Sequence, residues 1–111
     1  MTKPPAQQTV IHCGDLEIDR ERYFVHLAGR RVQLTYMEFH VLAQIAEGEG
    51  RIVAYDELAR SFWGAPSTRT QRRLAVLMSR IRSKLGAGCH YIDTVHRVGY
   101  RLRATEGAEP A

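Results

Sequence analysis

From Val10 to Leu34 apolar and polar residues alternate with a period close to two, through Leu16 and Ile18, Val25 and Leu27, then Val32 and Leu34. Turn formers interrupt the alternation at Cys13-Gly14-Asp15, Asp19-Arg20-Glu21 and Ala28-Gly29-Arg30. The segment therefore reads as a small antiparallel sheet of three or four short strands. At Thr35 the period changes to that of a helix. Thr35-Tyr36-Met37-Glu38 has the form of a capping box, Leu34 and Phe39 are spaced as a hydrophobic staple, and Phe39, Leu42, Ile45 and Ala46 share a face until Gly48-Glu49-Gly50.

Ile52-Val53 is a brief extended piece, and a second helix is expected from about Tyr55 to Trp63, with Leu58 and Phe62 inward and Asp56 and Glu57 at its positive end. Gly64-Ala65-Pro66-Ser67 is a loop. A third helix is expected over about 70–85; Thr68-Arg69-Thr70-Gln71 offers a capping box, so the start falls at Thr68 or two residues later. Leu74, Leu77, Met78, Ile81 and Leu85 form its apolar stripe, and Gly86-Ala87-Gly88 ends it. Tyr91–Val95 and Tyr100–Arg103 then read as strands flanking His96-Arg97-Val98-Gly99, a hairpin with a basic tip. The order is sheet, three helices, hairpin: one α+β domain over residues 10–103, between polar or small tails at 1–9 and 104–111 expected to be disordered.

Composition adds little until charge is mapped onto these elements. The chain has 111 residues, 44% hydrophobic and 25% charged, which suits a single globular domain. No apolar run reaches the ~20 residues of a membrane span, and the first residues lack the apolar stretch of a signal peptide, so the expected compartment is the cytoplasm. The net charge of +4 is unevenly spread. Between Arg69 and Arg103 lie Arg69, Arg72, Arg73, Arg80, Arg82, Lys84, Arg97, Arg101 and Arg103, opposed only by Asp93: nine less one is +8, so the rest of the chain sums to −4. Segregation of this kind is the footprint of a polyanion partner.

On a helical wheel the face of the third helix opposite its apolar stripe carries Arg72, Val76, Ser79 and Ser83, with Arg69, Arg73 and Arg80 on one shoulder and Ala75 and Arg82 on the other. No Asp or Glu occurs from Gly64 to Tyr91, so these arginines lack the i,i+4 partners that a merely solvated helix tends to carry. Val76, apolar in the middle of a polar face, suits a thymine methyl in a major groove, while arginine forks suit guanine edges and phosphates. Arg80, one turn beyond Val76, is the first choice for a base contact. His96 and Arg97, on a narrow loop, suit an adjacent minor groove.

Catalytic and metal chemistry find no constellation. The five histidines (His12, His26, His40, His90 and His96) are scattered, no phosphate-binding glycine loop is present, and neither cofactor nor enzymatic activity is expected. His12-Cys13 and Cys89-His90 are adjacent pairs without the spacing of a zinc motif, and without a secretory signal a structural disulfide is not expected.

From Gly14 to Leu102 the sequence resembles the DNA-binding output domain of OmpR/PhoB-type bacterial response regulators. The resemblance is carried in order by Gly14-Asp15-Leu16-Glu17-Ile18-Asp19, Leu34-Thr35-x-x-Glu38-Phe39-x-x-Leu42, Gly50-Arg51-Ile52-Val53, Glu57-Leu58 through Phe62-Trp63-Gly64, Ser79-Arg80-Ile81-Arg82-x-Lys84-Leu85, and Tyr91-Ile92-x-Thr94-Val95-x-x-Val98-Gly99-Tyr100-Arg101-Leu102. It implies a winged helix-turn-helix: an N-terminal four-stranded sheet, a three-helix core and a C-terminal hairpin wing. The third helix would read the major groove of double-stranded DNA and the wing the minor groove, usually as tandem protomers on direct repeats. Arg80 and Val76 would take base-edge positions, with Arg73 beside them. Trp63, Arg72, Arg82, Thr94 and Tyr100 would match phosphate-contacting positions, with Arg69 as a further backbone contact. The loop Gly64, Ala65, Pro66, Ser67 corresponds to the segment through which family members touch RNA polymerase.

The sequence also departs from the family pattern. Ala75 and Leu77 stand where Asp and His are common, Arg73 where Thr is, His96-Arg97 where the wing often reads Arg-Gly, and Ala54 where Ser usually caps the second helix. No phosphoacceptor receiver is read before residue 10, which leaves open an output domain excised from a longer regulator or a short regulator not switched by its own phosphorylation. Two function classes follow. The first is sequence-specific DNA binding that regulates transcription. The second is a winged-helix interaction module that contacts polymerase or another regulator and touches DNA weakly.

Overall fold

The computed structural model describes residues 10–103, except for the side chains of 87–89, so the expected tails lie outside the described residues. Strands β1 (Val10–Cys13), β2 (Leu16–Asp19), β3 (Phe24–Leu27) and β4 (Arg30–Arg31) form an antiparallel sheet in chain order. Pairing places Ile11, Ile18 and Val25 in one cross-strand row and Cys13 opposite Leu16, itself opposite Leu27. These residues share the inner face, and Cys13, Leu16, Ile18 and Val25 are buried. The other face carries the row His12, Glu17 and His26. The alternation through Val32 and Leu34 does not extend the sheet as expected. β4 stops at Arg31, although the Val32 amide still donates to the Val25 carbonyl at 2.8 Å.

Helix α1 (Tyr36–Glu47) starts at the expected capping box: the Glu38 amide donates to Thr35 Oγ1 at 3.2 Å, and the Thr35 amide donates to Glu38 Oε1 at 2.9 Å. Its buried face is wider than the periodicity indicated, adding Val41, Ala43 and Glu38 itself to the expected residues. Across it lie α2 (Tyr55–Trp63) and α3 (Thr68–Leu85), and one apolar cluster joins Leu16, Ile18 and Val25 of the sheet to Leu42, Ile45, Leu58, Leu74, Met78 and Ile81 of the helices.

After α3 a 3-10 turn, Gly86–Tyr91, replaces the expected start of a strand at Tyr91. β6 (Ile92–Val95) and β7 (Gly99–Leu102) form the hairpin, and the extended piece before α2 joins it as β5 (Val53–Ala54), giving a sheet of order β5-β7-β6. The sequence marks the extended piece but not its pairing with the hairpin, because a two-residue pairing leaves no periodic signal. It explains Gly99: a Cβ there would lie 2.1 Å from the Val53 carbonyl oxygen. The wing is thus fastened, beside its turn, to the strand that leads into α2 by main-chain pairing.

Candidate nucleic-acid interface

The outer face of α3 is set by where the helix begins. The cap is Ser67, not the expected Thr68. The Thr70 amide donates to Ser67 Oγ at 3.1 Å, and the Ser67 amide donates to Thr70 Oγ1 at 2.8 Å. Thr70 is buried, so the inward stripe runs Thr70, Leu74, Met78, Ile81, Leu85, and Leu77 moves to its half-buried flank. The helix therefore opens with Thr68 and Arg69, the earlier of the two expected starts.

Arg69, Arg72, Arg73, Ala75, Val76, Ser79, Arg80 and Ser83 are exposed, and Val76 is 48% exposed. Among the described residues no carboxylate pairs with Arg69, Arg72, Arg73 or Arg80. A groove of about 470 Å³ opens along the shoulder of α3, walled by Met37, Trp63, Val76 and Leu77 and rimmed by those four arginines. Trp63 is half-buried, with the Arg73 guanidinium 5.7 Å from its ring centroid. Met37 has no place in the sequence reading, since nothing local shows that the first turn of α1 faces this groove.

Apart from Arg97 at the wing turn, the remaining cations of the basic segment are engaged within the fold. Lys84 Nζ donates to the buried Glu38 carboxylate at 2.7 Å, and Arg103 and Arg101 flank Asp93 at 2.8 and 3.5 Å. Burial pushes the Glu38 carboxyl up, but the Lys84 ammonium and the Thr35 groups outweigh it and leave its pKa below the usual carboxylate value. The hydrogen bond from Arg103, outweighing desolvation, holds Asp93 low as well. Arg82 Nη2 donates to the Ile92 carbonyl at 3.0 Å and to Thr94 Oγ1 at 2.7 Å.

In the wing, His96 and Arg97 are exposed at the turn, Arg97 adopts a left-handed φ of 70°, and the Val98 amide closes the turn on Val95 O at 2.9 Å. Thr94 is exposed. Tyr100 is 4% exposed, its ring edge-on to Tyr55 at 5.4 Å, so little of it faces a partner; burial raises its hydroxyl pKa. The loop residues Gly64, Ala65, Pro66 and Ser67 are all exposed. Trp63, the arginines of α3 and Val76 come together on one surface. Arg82 and Thr94 meet each other at the junction of α3 and the wing.

Among the described residues no group of three or more His, Cys, Asp or Glu is placed to hold a metal ion. Cys13 is a buried free thiol, its Sγ donating to the Arg103 carbonyl at 3.0 Å. Nor is any described helix long and apolar enough to cross a membrane.

A sheet, a three-helix core and a three-stranded wing beside an exposed, arginine-rich third helix define a winged helix-turn-helix domain. The chain belongs to the family described as "Transcriptional regulatory protein, C terminal", which matches residues 29–102. It is 33% identical over 104 residues to the phosphate regulon transcriptional regulatory protein PhoB of Rhizobium meliloti, covering 92% of this chain and 46% of that protein. Among solved structures it is similar to the response regulator DrrB of Thermotoga maritima, an OmpR/PhoB homologue (TM-score 0.75, 31% identity, 86% of this chain and 45% of that one). It is also similar to the Klebsiella pneumoniae RstA DNA-binding domain in complex with RstA box (TM-score 0.74, 31% identity, 85% and 96%). The chain spans less than half the length of the curated relatives PhoB and CseB.

Proposed function

We propose that this domain binds double-stranded DNA in a sequence-specific manner and thereby regulates transcription in the cytoplasm. The observation that carries the reading is the set of unpaired arginines around exposed Val76 on α3. The likeness to PhoB and to the RstA domain held by its RstA box supports it. Arg80, Val76 and Arg73 face base edges in the major groove. Trp63, Arg69, Arg72, Arg82 and Thr94 serve the backbone, Tyr100 only through the small part of it left exposed, and His96 and Arg97 the minor groove. Two protomers sit in tandem on direct repeats, and the exposed loop Gly64–Ser67 is the surface left for RNA polymerase.

The test is the salt dependence of binding to a duplex selected from a random pool. The logarithm of affinity falls with log salt at about −0.9 per phosphate contacted, so several contacts give a steep line, and a flat response overturns the proposal. Arg80→Ala costs about 1–3 kcal/mol on the preferred sequence and relaxes discrimination, whereas Arg72→Ala weakens all duplexes alike and lowers the salt slope by about one. Equal losses on every duplex for both variants would remove that division of roles. The apolar walls of the groove at Met37, Trp63 and Leu77 favour the second reading, a module that docks on a regulator or polymerase and holds DNA weakly. A gel shift with random duplex at low salt separates the two: no shift favours the interaction module.

A further inference from the structure

Two reading elements can serve one duplex only if the distance between them is fixed, and main-chain bonds hold the wing from its β7 side, beside the turn, where Val53 and Ala54 meet Tyr100 and Gly99 and the Tyr55 amide donates to the Val98 carbonyl at 3.0 Å. Between α3 and the wing strands, the polar side-chain link among the described residues is Arg82. Both N–H bonds of its Nη2 are committed, one to the Ile92 carbonyl at 3.0 Å and one to Thr94 Oγ1 at 2.7 Å, and its guanidinium lies 6.0 Å from the Tyr100 ring. Thr94 stands opposite Tyr100 in the ladder, so Arg82 grips the wing at the cross-strand pair beside its turn and at Ile92 two residues below.

Two chemical consequences follow. Arg82 keeps Nε and Nη1 for another acceptor, while its Nη2 is a strut. Thr94 Oγ1, accepting from Arg82, retains its own O–H for donation, and the side chain is exposed. We propose that Arg82 is a positioning residue, and that Arg82 and Thr94 form a single bracket which registers the wing against the recognition helix and presents one shared set of donors to a DNA phosphate between the two grooves. The inference rests on the DNA-binding reading, but it replaces two independent phosphate contacts with one coupled unit.

The test compares the full chain with Arg82→Lys, Thr94→Val and the double variant. Affinity is measured on the selected duplex, and amide hydrogen exchange across Thr94–Val98 is followed in the free protein. A lysine keeps the charge but not the planar fork that holds two acceptors at once. Each single variant is expected to weaken binding about tenfold, the scale of a hydrogen bond to a charged group. The double variant should lose about the same, because breaking either half of the bracket already releases the other. Minor-groove protection in a hydroxyl-radical footprint should fade while guanine protection under α3 persists. In the free protein, exchange at Thr94–Val98 should accelerate with the first turns of α3 unchanged. Multiplicative losses near a hundredfold in the double variant, or wild-type binding by Arg82→Lys, overturn the bracket. If the wild-type chain binds no duplex at low salt, the DNA reading fails, and the exchange arm still decides whether Arg82 holds the wing. Should Arg82→Lys fail to fold, near-isosteric Thr94→Val decides it through the same exchange readout.

Discussion

At the C-terminal end of α3, Lys84 reaches a buried carboxylate on α1 at 2.7 Å, while one turn earlier Arg80 meets no carboxylate at all. The base of the wing repeats the contrast: Arg101 and Arg103 flank Asp93, and Arg97 at the tip stands exposed. The same helix and the same hairpin thus carry cations of two kinds. Those near the core are used to join elements. Those on the outer surface have been left without partners, although Glu21, Glu49, Asp56 and Glu57 show that the chain has exposed acid to spare. The +8 of the segment overstates the surface offered to a polyanion, which comes down to Arg69, Arg72, Arg73, Arg80 and Arg97, with part of Arg82. It follows that the two groups should separate experimentally, one governing stability and the other binding.

The largest effect is expected where the wing is fastened to the core. Gly99→Ala would place a Cβ 2.1 Å from the Val53 carbonyl oxygen and 2.8 Å from Ala54 Cα, both main-chain atoms that cannot turn aside. Parting β5 from β7 is expected to cost about 3 kcal/mol or more in urea unfolding. A variant as stable as wild type would show that the β5–β7 pairing does not fix the wing.

Next comes Glu38, which is 1% exposed and joins the α1 cap to Lys84. Glu38→Ala should destabilise by about 2 kcal/mol: about one for the cap and about one for an ion pair whose lysine is partly in water. Glu38→Gln keeps an acceptor for the Thr35 amide and should lose about half as much. By contrast, Arg72→Ala and Arg80→Ala should shift stability by no more than about 0.5 kcal/mol while weakening DNA binding. A substantial stability loss at either arginine would break the comparison.

The acid side gives a smaller and broader effect. Glu38, Asp93 and Asp19 all have folded-state pKa values below their ordinary ones. A depressed carboxylate contributes stability that is present above its unfolded pKa and is lost as pH falls through the folded one. Thermal midpoints should therefore hold steady near neutrality and decline below about pH 4, where unfolded carboxylates begin to bind protons. In Glu38→Gln that decline should be shallower. An unchanged acid limb would mean the carboxylate is not what Lys84 serves.

The fold was legible wherever a periodic signal was long or a cap was local. The β alternation from Leu16 to Leu27, the Thr35–Glu38 box and the stripe Leu74, Met78, Ile81, Leu85 all stand in the structure. What escaped was non-local or degenerate. Ser67/Thr70 and Thr68/Gln71 are overlapping cap frames that local chemistry cannot rank, and burial of Thr70 selects the first. The Lys84–Glu38 pair spans 46 positions, and the β5–β7 pairing joins two residues to a strand about as distant in sequence, so neither leaves a pattern along the chain, although the extended piece itself is visible. The candidate surface was legible in its arginines because missing acids are visible in sequence. The use of Arg82 as a strut was not, since it depends on where β6 comes to lie.

The smallest predicted effect concerns the one helix of the three without a side-chain cap. Ala54 caps α2 with an extended backbone, φ −70° and ψ 151°, and offers no acceptor, whereas Thr35 and Ser67 complete boxes on α1 and α3. A serine at that φ and ψ could accept from the Glu57 amide, and Glu57 stands where the reciprocal half of a capping box belongs. The gain from such a change is typically about 1 kcal/mol. Here, however, the Tyr55 amide already donates to the Val98 carbonyl at 3.0 Å, so the wing turn supplies part of what a cap would. Ala54→Ser is therefore expected to stabilise by only about 0.5 kcal/mol, raising the thermal midpoint by about 2–4 °C for a domain of this size. A gain of the full amount would mean that the main-chain bond from the wing contributes little to α2. No gain at all would mean that the wing has taken over the cap, binding the basic tip to the acidic first turn of α2 as firmly as Lys84 binds α3 to α1.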